Sequence, residues 1–298
     1  MEHQKGLNTA FWLNAGFTII ELAGGIFTNS TAILTDAVHD FGDTLAIGLG
    51  IWFEKISGRK RTETYSYGYK RFSLLSALIL SVFLLGGSLV MLIESFSKLF
   101  QAQEVNSVGM LWLAILGIAA NGLAFLKIKN GHHHHHHHGP HDHDHSHNSK
   151  AIMLHLLEDV LGWVAVLIGA IVIYFTKWYW IDPLLSILIA GFIISRAVPN
   201  LVNTLKIFLQ SVPEHLNIPF IREEIMKIKG ISSLHDLHAW TLDGNYNVLT
   251  LHIVIEDTAI TRLQEIQNKA EDILLANKVH HPTLQLETVS EGCQFRNC

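Results

Sequence analysis

Charge is scarce in this chain. Asp, Glu, Lys and Arg make up 16% of its 298 residues, against 49% hydrophobic, where soluble domains carry roughly 25% charged residues. A chain of this length could hold one or two soluble domains, but this composition points to a membrane. The formal net charge is −5 with neutral histidines, so no basic excess exists to attract nucleic acid. There are only two cysteines, Cys293 and Cys298, both at the C-terminal end, and two thiols in a long chain make no disulfide framework. The first apolar run, from about Leu7, lacks an obvious small-residue cleavage site, so no cleavable signal peptide is expected. Histidine is the exception to this poverty of polar groups: there are 20, nearly equal to the 21 Lys and Arg combined.

Long apolar runs account for most of the rest. A spanning helix needs ~20 mostly apolar residues, and six candidates run approximately Leu7–Phe27, Thr31–Phe53, Phe72–Glu94, Val108–Ile128, Ala151–Phe175 and Trp178–Leu201. A short polar turn at "TNST" makes a hairpin of the first two. "TKWYW" does the same for the last two and adds aromatics suited to a membrane interface. The second connection, "EKISGRKRTETYSYGYKR", holds Lys55, Arg59, Lys60, Arg61, Lys70 and Arg71, and the fourth holds Lys127, Lys129 and Lys150. The opposite side shows only Lys98 and Lys177. The positive-inside rule then places both termini in the cytoplasm, in a bacterial inner membrane or an organelle membrane.

After about Gln210 the pattern changes. "NIPFIREEIMKIKG" is an amphipathic helix ending at Gly230, and "ISSLHDLHAWTL" and "NVLTLHIVIED" alternate like strands around a "DGNY" turn. "TAITRLQEIQNKAEDILLANK" is a second helix and "PTLQLETV" a third strand. The expected organisation is a six-helix transmembrane domain over 1–209 and a cytoplasmic α+β domain of order αββαβ over 210–298. Between the fourth and fifth runs lies a His-rich loop, 131–148. Its seven-histidine run, His132 to His138, looks like a purification tag. It is internal, however, and continues through His141, His143, His145 and His147, which favours a native loop that holds metals loosely.

The second run begins "LTDAVHDFGD", an unusual start for a membrane helix. His39 and Asp43 are spaced i, i+4, and His155 and Asp159 in the fifth run repeat the spacing and order. Each pair falls on one helix face, one turn apart. Two imidazoles and two carboxylates suit tetrahedral Zn²⁺ at ~2.0–2.2 Å, whereas Mg²⁺ wants an oxygen octahedron and Cu(I) wants sulfur. Two aspartates plus Zn²⁺ sum to zero charge, which a low-dielectric interior tolerates. Protons compete with metal for the same groups. A single membrane histidine is ordinarily an interhelical hydrogen-bond partner; its recurrence with a second aspartate favours the metal reading. Asp36 and Asp40 read equally as helix N-terminal charges or as a polar mouth. Glu21, Asn14 and Asn121 read as interhelical hydrogen-bonding groups, Glu158 as a residue of another face, and Gly24, Gly25, Gly86 and Gly87 as close-packing positions.

The C-terminal segment has a second cluster: His235 and His238 in "HDLHAW", His252, His280, His281, Glu287, Cys293 and Cys298. Imidazole, carboxylate and thiolate are all zinc ligands. The alternative is surface histidines and ordinary thiols.

Taken together, "TDAVHDFGD", "HLLEDVLGW", "YGYKR", the His-rich loop and "HDLHAW" resemble the cation diffusion facilitators of the zinc-transporter type, over nearly the whole chain. The resemblance implies a homodimer of six-helix subunits with ferredoxin-like cytoplasmic domains. It implies Zn²⁺ export driven by inward proton flow, with Cd²⁺ and other divalent cations as further substrates. The transport ligands it implies are His39, Asp43, His155 and Asp159, and histidine at position 39 is the zinc-selective form. It also implies zinc as a structural or regulatory ion in the cytoplasmic domain, on His252 and Glu287, with His235, His280, Cys293 and Cys298 as partners. Where bacterial members often carry His-x-Asp in the last strand, this chain has Gln285 and Glu287, so that ligand set departs from the pattern. Two rivals remain: a membrane metalloenzyme, for which an H-E-x-x-H-type motif is missing, and a metal sensor that binds without transport.

Overall fold

The computed structural model describes the backbone of residues 2–101, 103–131 and 143–290. Within these it describes all side chains except those of 2–10, 124, 127–131, 143–153 and 155. Six long helices come first: α1 (Glu2–Thr28), α2 (Thr31–Ser57), α3 (Phe72–Phe100), α4 (Ser107–Gly131), α5 (His143–Thr176) and α6 (Ile181–Phe208). They then give way to α7 (Ile218–Met226), β1 (Ile231–Thr241), β2 (Asn247–Ile255), a 3₁₀ turn (Asp257–Arg262), α8 (Leu263–Ala276) and β3 (His281–Thr288).

Two of the long helices end at a residue in the left-handed conformation. Asn29, at φ 55°, ends α1, with its N–H on the Ile26 carbonyl and the Ser30 N–H on the Gly25 carbonyl. Lys177, at φ 59°, does the same after α5. Several boundaries depart from expectation: α3 runs on to Phe100, α6 to Phe208, and α7 stops at Met226 rather than Gly230. The helix expected from Ala151 starts at His143, so His143, His145 and His147 belong to α5 rather than to a loop. Pro140 is the last helix breaker before the apolar run, and extending an existing helix costs little.

Four helical segments among the described residues are long and apolar enough to cross a membrane: Phe11–Thr28, Phe72–Phe100, Leu156–Thr176 and Ile181–Phe208. α4 contributes a shorter apolar stretch, Ser107–Leu123, and α2 carries Asp36, His39, Asp40 and Asp43 in its first half and Glu54 and Lys55 in its last turn. Large apolar side chains such as Trp12, Ile93, Trp112 and Ile168 face outward, an arrangement suited to lipid and unsuited to water.

Two compact units divide the chain, Met1–Ile51 with Ile79–Pro199, and Trp52–Leu78 with Asn200–Cys298. The first packs around Ile33, Met110, Trp163 and Ile173. Small residues allow this closeness. A Cβ on Gly117 would stand 2.2 Å from the Trp163 ring, and Cβ atoms on Gly24, Gly25 and Gly87 would meet Leu113, Leu34 and Val38. Gly86 has open space around it instead. Asn14 bears out its interhelical reading, since its amide donates to the Asp40 carbonyl and the Thr44 hydroxyl of α2.

In the second unit a three-stranded sheet has order β1-β2-β3, with β1/β2 antiparallel and β2/β3 parallel. Leu249, Leu251, Ile253 and Ile255 point to one face and pack on Ile221, Ile225, Ile266 and Leu274 of α7 and α8. Strand alternation sends Thr250, His252 and Val254 to the other face. The 3₁₀ turn replaces the first turn of the helix expected from Thr258.

Candidate metal sites

α2 starts from an unusual anchor. Its N-terminal amides are satisfied by Asp182 from the first turn of α6, whose carboxylate accepts from Ser30 Oγ (2.5 Å), Thr31 N (2.7 Å), Thr31 Oγ1 (2.7 Å) and Ala32 N (3.3 Å). A hydroxyl chain follows, Thr35 to Ser186 (2.6 Å) and Ser186 to Ser95 (2.5 Å), tying α2, α6 and α3 together. Asp36 and Asp40 are therefore not the charges that cap α2. They lie one and two turns further in and are buried, as is Glu21 of α1. Neither oxygen of Glu21 has a hydrogen-bond donor among the described residues.

This anchor fixes the rotation of α2 and so the direction of its polar stripe. His39 Nε2 lies 3.7 Å from Asp43 Oδ2, one turn on, and 3.8 Å from Asp159 Oδ1 of α5. These separations exceed hydrogen-bond length. They approach the roughly 3.3 Å between donor atoms of a tetrahedral ion with ~2.0–2.1 Å bonds. The three side chains are largely buried. His155 stands on α5 one turn before Asp159, and its side chain lies outside the described residues. Glu158 turns away and pairs with Arg196 of α6. Glu21, Asp36, Asp40, Asp43 and Asp159 all belong to this helical unit, and a low-dielectric interior holds carboxyl groups only when they are protonated or paired with a cation.

The second cluster sits on the open face of the sheet. His235 of β1 pairs across to His252 of β2, which lies beside Gln285 of β3. His252 Nδ1 is 2.7 Å from Glu287 Oε1, His235 Nε2 is 3.5 Å from Glu287 Oε2, and the imidazole centroids are 5.1 Å apart. One donor atom from each of the three residues falls within 4.8 Å of the others. His235 Nε2 is buried without a hydrogen-bond partner among the described residues. That orphaned nitrogen, next to a carboxylate and a second imidazole, fits Zn²⁺. Gln285 donates to Glu287 Oε1 at 2.9 Å and orients it.

His280 does not join this group. Its Nδ1 accepts the Asn247 backbone N–H at 3.1 Å, and its ring stacks on Tyr246. Cys293, Cys298, His132, His138 and His141 lie outside the described residues. His143, His145 and His147 are placed on α5 by backbone alone. Sequence reasoning missed Asp236, which reaches His238 Nε2 at 2.9 Å and His252 Nε2 at 3.5 Å. A bulge between His235 and His238 brings it there, and nothing in the spacing announces it.

Comparison with known proteins gives two family matches. The cation efflux transmembrane domain matches residues 7–209, and the cation efflux protein cytoplasmic domain matches residues 213–289. The chain is 30% identical to a cadmium, cobalt and zinc/H(+)-K(+) antiporter of Bacillus velezensis, over 97% of this chain and 90% of that protein. It is 31% identical to the metal cation efflux system protein CzcD of Cupriavidus metallidurans, covering 96% and 87%. It is 29% identical to zinc transporter ZitB of Pectobacterium atrosepticum, covering 99% and 88%.

Proposed function

The chain belongs to the cation efflux family, and we propose that it exports Zn²⁺ from the cytosol in exchange for protons by alternating access. Relatives named as zinc transporters and as a zinc/H(+)-K(+) antiporter support the substrate and the coupling. The observation that carries the reading is the convergence of His39, Asp43 and Asp159 from two helices. His155 completes the set as the fourth ligand. Cd²⁺ and other divalent cations are secondary substrates of the same site.

The chemistry follows from the donor set. Zn²⁺ neutralises the two aspartates in the inward-facing state. When the helices rock and the ion leaves, protons on the histidines restore balance and travel back. No covalent step is needed, so the protein is a secondary active transporter and not an enzyme. All six long helices span, with both termini in the cytoplasm of a bacterial or organelle membrane. The ferredoxin-like C-terminal domain joins two copies into a homodimer. His235, His252 and Glu287 would hold a structural Zn²⁺ there, with Cys293 and Cys298 as additional donors from the C-terminal end.

Proteoliposomes carrying a zinc-sensitive dye and an imposed proton gradient test the proposal. Zinc should accumulate only with the gradient, and Asp43→Ala and Asp159→Ala should each reduce flux by more than about a hundredfold, beyond the loss typical of outer-shell partners. Tight zinc binding with no gradient-driven flux would show a sensor instead.

A further inference from the structure

The connection between α2 and α3 is a folded object. Gly68, at φ +75°, lets the chain turn back on itself; a Cβ there would stand 3.3 Å from the Arg59 carbonyl. Its N–H donates to the Tyr65 carbonyl at 2.9 Å, the Thr62 N–H does so at 3.1 Å, and the Tyr65 N–H returns to Thr62 Oγ1 at 3.1 Å. Tyr65, Tyr69 and Phe72 pack ring against ring, with Phe53 behind Phe72. The loop then meets the sheet domain of the same unit: Tyr67 sets its edge against His281, and Lys70 lies 4.6 Å over the Tyr246 ring.

Between these walls is a cavity of about 700 Å³, lined by Arg59, Lys60, Arg61 and Lys70 with Ser57, Ser66, Tyr67, Tyr246 and His281. No carboxylate lines it among the described residues. Lys70 reaches Asp243 at 4.0 Å, but Arg59, Lys60 and Arg61 form no ion pair among the described residues. Basic residues that served only to orient a membrane chain would need no cavity wall. Here guanidinium groups, hydroxyls and a folded scaffold converge on one concave space, a donor set matched to phosphate oxygens.

We propose that this cavity binds a phosphate group, that of an anionic lipid headgroup. Phe72, one residue after Arg71, opens a helix long and apolar enough to cross a membrane. The cationic groups and tyrosines thus sit in sequence at the headgroup end of a span, where anionic lipids are held. The inference is independent of the metal chemistry above.

The full chain in a non-ionic detergent tests it, by thermal shift and titration with three probes: dioctanoyl phosphatidylglycerol, dioctanoyl phosphatidylcholine and inorganic phosphate. Phosphatidylglycerol should bind saturably and phosphatidylcholine should not. The R59Q/R61Q pair should weaken binding by about tenfold or more, whereas K55Q, in the last turn of α2 and off the cavity, should change it by less than about twofold. K70Q is a second variant should the double variant lose its monodisperse state. Equal binding of inorganic phosphate, lost in the same variants, would support the site and assign it to soluble phosphate. Absence of saturable binding by any probe, or weakening by K55Q as large as by R59Q/R61Q, would overturn the proposal.

Discussion

Asp236 holds a φ of 48°, a conformation that costs an ordinary residue energy and that Asp tolerates better than most. The return is a carboxylate shared between His238 and His252. On the other side of His252, Gln285 steadies Glu287. Such partners fix ligand tautomer and direction. In an Asp159→Ala background, which silences the membrane site, D236A and Q285A should each weaken zinc binding to the full chain by about 10–100-fold, read by competition with a zinc dye. Unchanged affinity in both would remove this site from the metal chemistry. The histidines and Glu287 were legible because their residue types announce ligands. Asp236 was not, because regular alternation places it on the face opposite His235. Only the bulge, where two residues of β1 oppose one of β2, brings both His238 and Asp236 to the open face.

Helices were legible as elements, because apolar runs of membrane length and turn residues such as Asn29 mark them out. Their mutual contacts were not, since an apolar surface looks alike on all sides. Two contacts carry measurable weight. Gly117 of α4 faces the buried Trp163 of α5 with no room for a methyl group. G117A should destabilise the protein by about 1–3 kcal/mol, seen as a lower melting temperature, and W163L in the same chain should recover part of the loss. Asp182 of α6 satisfies two amides and two hydroxyls at the start of α2. D182A should cost about 3 kcal/mol, with D182N costing less because one acceptor oxygen remains. Since this anchor sets the rotation of α2, D182A should also lower zinc flux, although Asp182 touches no ligand. A stability loss with normal flux would show that α2 holds its rotation by packing alone.

Across the whole molecule the accounting is one of charge. Glu21, Asp36 and Asp40 are buried in the same helical unit as His39, Asp43 and Asp159, so carboxyl groups outnumber the imidazole beside them. A membrane interior holds such carboxylates only when they are protonated or paired with a cation. That makes zinc and protons competitors at equilibrium. Apparent zinc affinity of the full chain should fall as pH falls, and zinc loading should release protons into weakly buffered solution. The His-rich segment acts at a different level. In sequence it joins α4 to α5, the helix that bears Asp159, and under the proposed function it would supply a high local concentration of imidazole to the transport site. Deleting 132–142 should therefore raise the apparent KM for zinc severalfold while leaving kcat and the pH dependence in place, the pattern of lost uniform binding. Flux assays on the deleted chain at two external pH values decide it. A fall in kcat, or a pH dependence that vanishes with the segment, would make the histidine run part of the transport step.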